Sequence, residues 1–229
     1  VGIDFLYCNP IWYAGLLQCI ARGTADVLEE NEHGIFLRDT VSDAYMLTTG
    51  NTEEGIRWLK KHEALQYPLL ALFQSDLVAF ARKRYALLSM IDSFQAVYEK
   101  KEPPVCNKDI EIQVASEEDD KLIAAHYTLL NEQKRKKVIR SGKLFLGRHK
   151  GEVVGFIGQH LEGSMGLLEI LPEHRGKGYG TALESYLIAR MLAKGQLPFC
   201  QIEADNEKSL NLQKKLGLTI SNEHIYWLF

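Results

Sequence analysis

The chain has 229 residues, 46% apolar and 25% charged, with 27 basic against 30 acidic side chains and a net charge of −3. That is enough apolar material for one large or two small cores, and the near-balance of charge excludes a broad nucleic-acid surface. The longest apolar runs fall far short of the ~18 residues that would indicate a membrane span, and no signal peptide is visible. The four cysteines, Cys8, Cys19, Cys106 and Cys200, form no C-x-x-C pair, which argues against a zinc site or a disulfide framework and for buried free thiols. The first residue is Val1 and not Met, so a short leader or a few residues are expected to precede it.

In chain order, a helical stretch is expected from about Pro10 to Ala21, then strands at Ala25 to Glu30 and Gly34 to Arg38 across Glu32-His33-Gly34, and a strand from Ala44 to Thr49. A capped helix runs from Thr52 to about His62, Pro68 to Phe73 reads as a strand, and Ser75 opens another helix. Near Glu99-Lys-Lys-Glu-Pro-Pro-Val105, charge and paired prolines interrupt the pattern and favour an extended linker. The domain boundary is therefore expected there, giving residues 1–105 and 106–229. The first part carries 10 basic and 14 acidic side chains and the second 17 and 16, so the positive charge that phosphate attracts is in the second.

Beyond the linker, Ile110 to Ala115 alternates as a strand and Ser116-Glu117-Glu118-Asp119 reads as a helix N-terminus with acids in its first turn. Two helical segments reach about Arg140. Leu144 to Arg148 and Val153 to His160 form a hairpin across Lys150-Gly151, which leads through Glu162-Gly163 into the apolar strand Leu167 to Leu171. That strand runs through Pro172 into Glu-His-Arg-Gly-Lys-Gly-Tyr-Gly, ending at Gly180. A helix follows, with Tyr179, Ala182, Leu183, Tyr186, Leu187 and Met191 on one face and Gly195 as its stop. Pro198 to Glu203 reads as a strand, and the aromatic end Tyr226-Trp227-Leu228-Phe229 as a final core strand.

The turn at 175–181 has the chemistry of a phosphate site. The first N–H groups of a helix lack intrahelical partners and carry partial positive charge. Gly176, Gly178 and Gly180 put no Cβ between backbone and ligand, and Arg175 and Lys177 add charge. A dinucleotide fingerprint beginning at Gly176 requires glycine at 181, where this chain has Thr181, and a Walker A loop requires Ser or Thr after Gly-Lys, where it has Gly178.

What remains is Arg175-x-x-Gly178-x-Gly180 after a strand ending at Pro172, followed one strand later by Asn206, Ser209, Leu212 and Gly217-Leu218. These two segments resemble the signatures of the GNAT superfamily of acyl-CoA-dependent N-acyltransferases, over roughly residues 108 to 229. The resemblance implies an α/β (α+β) fold, a mixed, mostly antiparallel twisted sheet flanked by helices. It also implies that the turn, with Tyr179 and Thr181, holds the pyrophosphate of acetyl-CoA or another short acyl-CoA, and that Asn206 and Ser209 lie beside the pantetheine arm. The first half echoes the same plan without an Arg-x-x-Gly-x-Gly turn after Thr49. It is therefore read as a degenerate GNAT-like half, an arrangement similar to the glycine N-acyltransferase branch, with an unrelated α+β cap as the alternative.

The implied reaction is direct attack of an amine on the thioester in a ternary complex. Backbone N–H groups at a distorted end of the signature strand, around Ile170 and Leu171, are expected to stabilise the oxyanion and to pair with the pantetheine amides. The amine must lose a proton, and Glu169, an acid in an apolar strand, is the expected base. The competing reading is a strand side chain turned to solvent. In the glycine N-acyltransferase branch the catalytic Glu falls eleven residues before the signature Arg, which here is Ser164; Glu162 and Glu203 are reserves, and His160 reads as a strand-end histidine. The family's thiolate-protonating Tyr, seven positions after the Asn, is Gln213 here, which donates a hydrogen bond but no proton; Tyr179 or water is the substitute.

A small-molecule amine acceptor, no metal, no nucleic acid, no membrane and a cytoplasmic location complete the expectation. The competing class is a non-catalytic acyl-CoA-binding module, motivated by Ser164 and Gln213. Lys134-Arg135-Lys136-Lys137 reads as a solvated helix face at the acceptor entrance, and Trp12-Tyr13 and Trp58 as packing between the halves. Nothing in the sequence indicates an oligomeric state.

Overall fold

A computed structural model describes residues 2–63, 69–106 and 108–229. Contacts group the chain into two units. The first takes in the residues up to Val97 together with Gln201–Gln213 and Thr219–Phe229, and the second comprises Tyr98–Cys200 and Lys214–Leu218.

In the first unit, helices α1 (Gly2–Leu6) and α2 (Ala14–Ala21) precede strands β1 (Ala25–Asn31), β2 (Gly34–Asp39) and β3 (Tyr45–Thr49). Helix α3 (Thr52–Lys61) begins where the Asn51 side chain accepts the Glu54 N–H at 3.2 Å; Glu53 and Glu54 lie in its first turn and Lys60 and Lys61 in its last, matching the macrodipole. Strand β4 (Leu70–Leu72), helix α4 (Ser75–Tyr85) and strand β5 (Met90–Val97) follow, and the chain returns with β11 (Thr219–Leu228). The start expected for β4, at Pro68, lies outside the described residues.

The seven-stranded sheet runs β1-β2-β3-β4-β11-β5-β10, where β10 is Phe199–Glu203. β3 and β4 are parallel across α3, and β11 is antiparallel to both β4 and β5. The central strands are apolar on both faces, and their period of two divides them between two cores. Ile35, Leu37, Met46 and Ala71 pack under Leu6, Tyr13 and Leu16. Phe36, Tyr45, Leu47, Leu70 and Leu72 pack under Trp58, Leu59 and Leu77. The aromatic residues Trp12, Tyr13 and Trp58 thus belong to these cores; Tyr13 shares its cluster with Ile225 and Trp227 of β11.

A buried acid closes one end of β2. Asp39, with no exposed surface, accepts Ser42 N–H at 2.9 Å and Ser42 Oγ–H at 2.6 Å on Oδ2. Its Oδ1 takes bonds from Thr24 Oγ1, Arg22 at 3.3 Å and the Cys19 thiol at 3.4 Å. Burial pushes the Cys19 thiol up to about 11, so it is an S–H donor at neutral pH.

In the second unit, strands β6 (Glu111–Val114), β7 (Leu144–His149), β8 (Glu152–Gln159) and β9 (Met165–Ile170) form an antiparallel sheet in sequence order. Helices α5 (Asp120–His126) and α6 (Glu132–Arg140) cover one face, where Ile123, Val138 and Ile139 enclose Leu144, Leu146, Phe156 and Leu167. The long α7 (Tyr179–Ala193) packs on Phe145, whose ring lies 5.4 Å from that of Tyr186 and under the Arg190 guanidinium at 4.9 Å. Replacing the fully buried Phe156 by Ala is expected to cost about 3–5 kcal/mol, read as a lower denaturation midpoint for the second unit with α-helical content retained below the transition.

In the Lys134–Lys137 run of α6, Lys134 and Lys137 are exposed and Lys136 is half-buried, but Arg135 is buried, so that position departs from the expected solvated face. Arg135 Nε donates to Asp120 at 2.5 Å, Lys136 to Glu132 at 2.5 Å, and Arg140 to Glu117 at 2.7 Å. Of the four thiols, all free, Cys19 and Cys200 are buried, whereas Cys8 is exposed, contrary to the expectation of burial. The fold as a whole is mixed α/β, with antiparallel-rich sheets flanked by helices, and among the described residues no helix is long and apolar enough to cross a membrane.

Candidate functional site

The glycine-rich turn connects β9 to α7 in the second unit. After Ile170, Pro172–His174 makes one tight helical turn, and the backbone then passes through two left-handed glycines, Gly176 at φ 74° and Gly178 at φ 85°, the second capping α7. A Cβ at either would meet nothing within 4 Å, so conformation and not crowding fixes glycine here, and the space above the turn is open. The turn is exposed and leads into a fifteen-residue helix whose first N–H groups are unpaired within the helix. Open backbone at a helix N-terminus is a setting that favours an anion.

The charge of the turn is arranged around the same point. Arg175, 60% exposed, folds back over the strand: its Nε donates to the Ile170 carbonyl at 3.0 Å and its Nη2 to Glu169 Oε1 at 2.8 Å. Lys177 Nζ donates to the Glu173 carbonyl at 2.8 Å. The buried ring of Tyr179 has Lys108 Nζ at 4.6 Å, His149 at 5.6 Å and His174 at 6.0 Å from its centroid. Gly180 and Thr181, both half-buried, form the start of α7. The Lys108 and His149 contributions were not legible in the sequence, because they come from β6's approach and the β7 end, far from the motif.

Strand β9 is the end strand of its sheet, so one of its edges carries no ladder partner among the described residues. It is also bulged. Gly166 pairs with Gly158 and Glu169 with Phe156, so Leu167 and Leu168 together oppose Ile157, and Leu167 adopts φ 54°, rare for a leucine. The sequence expectation set the distortion at Ile170 and Leu171; it lies three to four residues earlier. The Leu171 N–H is spent on the Val154 carbonyl at 3.0 Å, so that group is committed to the sheet. Glu169 is half-buried, its side chain 24% exposed and ion-paired to Arg175.

At the opposite end of β9, the turn from β8 is tied by several bonds. His160 N–H donates to the Ser164 carbonyl at 2.8 Å, Gly163 N–H to the His160 carbonyl at 2.9 Å, and Gln159 Nε2 to the Gly163 carbonyl at 3.2 Å. Ser164 is 0% exposed and its hydroxyl donates to Glu162 Oε1 at 2.6 Å.

Asn206, Ser209 and Gln213 belong to the first unit. The Asn206 side chain accepts the Ser209 N–H at 3.0 Å and so caps helix α8 (Glu207–Leu216). Gln213 is buried, and Glu203, at the end of β10, is exposed. The two groups of expected residues are thus each coherent in their own unit: the turn and β9 in one, the α8 cap in the other. Among the described residues, no cluster of three or more His, Cys, Asp or Glu has the arrangement of a metal site.

Residues 144–228 match the family model described as FR47-like protein. No curated protein matches the sequence. Among solved structures, a Drosophila protein is 17% identical with a TM-score of 0.65, over 86% of this chain and 73% of its own. A GNAT-family acetyltransferase from Colwellia psychrerythraea is 16% identical with a TM-score of 0.54, over 96% and 90%. A GCN5-related N-acetyltransferase-like protein from Streptococcus suis is 15% identical with a TM-score of 0.56, over 100% of both chains. At such identities the likeness is one of fold. The chain therefore has the GNAT acetyltransferase fold, with an FR47-like segment that contains β9, the turn, α7 and the cap of α8.

Proposed function

We propose that the protein is an acyl-CoA-dependent N-acetyltransferase that passes an acetyl or other short acyl group to the amine of a small molecule. The observation that carries this reading is the turn: two left-handed glycines with open space above them, at the N-terminus of α7 and beside Arg175 and Lys177. Acetyl-CoA would set its pyrophosphate there, on the backbone of Gly176 to Thr181, and run its pantetheine amides along the unpaired edge of β9 as an added strand does. Bound acetyl-CoA supplies the activated acyl group. The chain's part is to hold it, to offer N–H groups at the bulge to the developing oxyanion, and to take the amine's proton.

The GNAT-fold neighbours and the FR47-like segment support acyl transfer as the class of chemistry. The tandem arrangement is part of the proposal: β3, α3 and a parallel β4 repeat the strand, helix, strand order in the first unit, where Gly50-Asn51 stands in place of the glycine-rich turn. Four free thiols agree with a reducing, cytoplasmic location. The alternative of a non-catalytic acyl-CoA-binding module has its motive in Gln213, buried where the resemblance sets a proton-donating tyrosine.

The test is thiol release from acetyl-CoA over a panel of amino acids, polyamines and arylalkylamines. Turnover with at least one amine, dependent on its concentration, is expected. Tight calorimetric binding of CoA with no turnover on any amine would leave the binding module as the answer.

A further inference from the structure

The proton acceptor of a transferase built on this turn must stand at the sulfur end of the pantetheine arm, and the two ends of β9 differ in what they offer. A strand rises about 3.3 Å per residue, so Met165–Ile170 is about 17 Å from end to end, comparable to an extended arm carrying two amides. With pyrophosphate at the turn, the C-terminal end of β9 lies beside the phosphates and the N-terminal end towards the thioester.

Glu169 belongs to the phosphate end. Its Oε1 is bound by Arg175, whose Nε holds the Ile170 carbonyl, so the carboxylate positions the guanidinium of the turn. Glu162 belongs to the other end, five residues before the bulged Leu167. It is half-buried, in a turn closed by the bonds among Gln159, His160, Gly163 and Ser164. One carboxylate oxygen is fixed at 2.6 Å by a serine hydroxyl that has no solvent contact. A carboxylate held by a buried donor on a braced turn has lost most of its rotamer freedom before any substrate arrives, which is what a general base requires.

We propose that Glu162 is the proton acceptor for the acceptor amine and that Ser164 is its positioning residue, fixing the carboxylate from the start of β9. This rests on the acyltransferase reading above. In the reaction, the substrate ammonium gives one proton to the Glu162 carboxylate, directly or through a water, and Glu162 passes it to solvent. The nitrogen lone pair then forms the C–N bond at the thioester carbon. As the tetrahedral adduct collapses, the C–S bond breaks with its electron pair on sulfur, and the second nitrogen proton ends on that sulfur as the CoA thiol. Nothing is oxidised or reduced.

The experiment compares thiol release and CoA calorimetry for the wild type, Glu162→Gln, Ser164→Ala and Glu169→Gln, using the best amine of the panel. Glu162→Gln keeps shape and an acceptor oxygen and is expected to lower kcat by about 100-fold, with the KM for acetyl-CoA and the Kd of CoA within threefold of wild type. Ser164→Ala is expected to lower kcat about tenfold, again without moving the acetyl-CoA KM, a split that a general loosening of the fold would not give. Glu169→Gln is expected to act oppositely, raising the acetyl-CoA KM and the CoA Kd. A Glu162→Gln enzyme within twofold of wild-type kcat, or a kcat loss found in Glu169→Gln instead, overturns the assignment while leaving the transferase reading intact. A wild type that binds CoA but turns over no amine overturns both.

Discussion

Gly178→Glu is expected to weaken CoA binding by at least 100-fold in a calorimetric titration, about 2.7 kcal/mol or more. Two effects act together. Gly178 sits at φ 85°, where a residue bearing a Cβ pays roughly 1–2 kcal/mol, and an unbranched carboxylate placed at the mouth of the turn repels the phosphates from the N-terminus of α7. Because a Cβ at 178 has nothing within 4 Å, the substitution finds room and the second unit stays folded. Gly178→Ala separates the two effects: it carries the backbone strain without the charge, and a loss of about tenfold or less is expected for it. Unchanged affinity in Gly178→Glu would remove the pyrophosphate assignment, and with it the proposed orientation of acetyl-CoA along β9.

Asp39→Ala is expected to be the most destabilising single change in the first unit, by about 3–5 kcal/mol, measured as a fall in the urea midpoint. The reason is that every group facing Asp39 is a donor: the Ser42 N–H and hydroxyl, the Thr24 hydroxyl, Arg22 and the Cys19 thiol. Removing the carboxylate leaves the buried Cys19 thiol and the half-buried Ser42, Thr24 and Arg22 donors around a void. Asp39→Asn should recover little, since its NH2 adds a donor to a cage of donors. Burial raises the Asp39 carboxyl, but the bonds from Ser42 and Thr24 outweigh it and hold the group below the ordinary aspartate value. A depressed folded-state value means that the stabilisation is complete above the unfolded-state value and is lost as pH falls through the folded one. The wild type should therefore lose stability on acidification below about pH 4 more steeply than Asp39→Ala does, and equal slopes for the two would contradict the account.

The hairpin of β7 and β8, the strand β9, the turn and α7 were all legible in the sequence, because each is written in local patterns: alternation, a Pro-Glu-His-Arg-Gly-Lys-Gly run, and a long stripe ending at Gly195. Strand β5 was not. Its Ser93 and Gln95 are buried and break the apolar pattern, and only the fold shows their partners: Ser93 Oγ donates to the Ile225 carbonyl, Gln95 Oε1 accepts from Gln201 Nε2, and the Gln95 backbone N–H donates to the Ser221 hydroxyl. Strand β11 was read only at its aromatic end, since its exposed Asn222 and Glu223 fall at the irregular pairing between Ile220 and His224. The bulge at Leu167 was hidden for a different reason. A leucine gives no signal for a left-handed backbone, so the distortion was expected nearer the turn.

The sequence by itself determined the α/β class and the local make-up of residues 175–181, because glycines that take a left-handed backbone, basic side chains and a helix start are properties of consecutive residues. The tertiary structure alone decided that β11 enters the first unit's sheet between β4 and β5, that Arg175 takes up Glu169, and that Ser164 fixes the Glu162 carboxylate. Strand order is settled by which edges bury the most apolar surface and satisfy the most backbone groups across long stretches of chain. Which donor reaches a carboxylate is likewise decided by the fold, and the donors differ for Glu162, in the turn before β9, and Glu169, near the end of that strand.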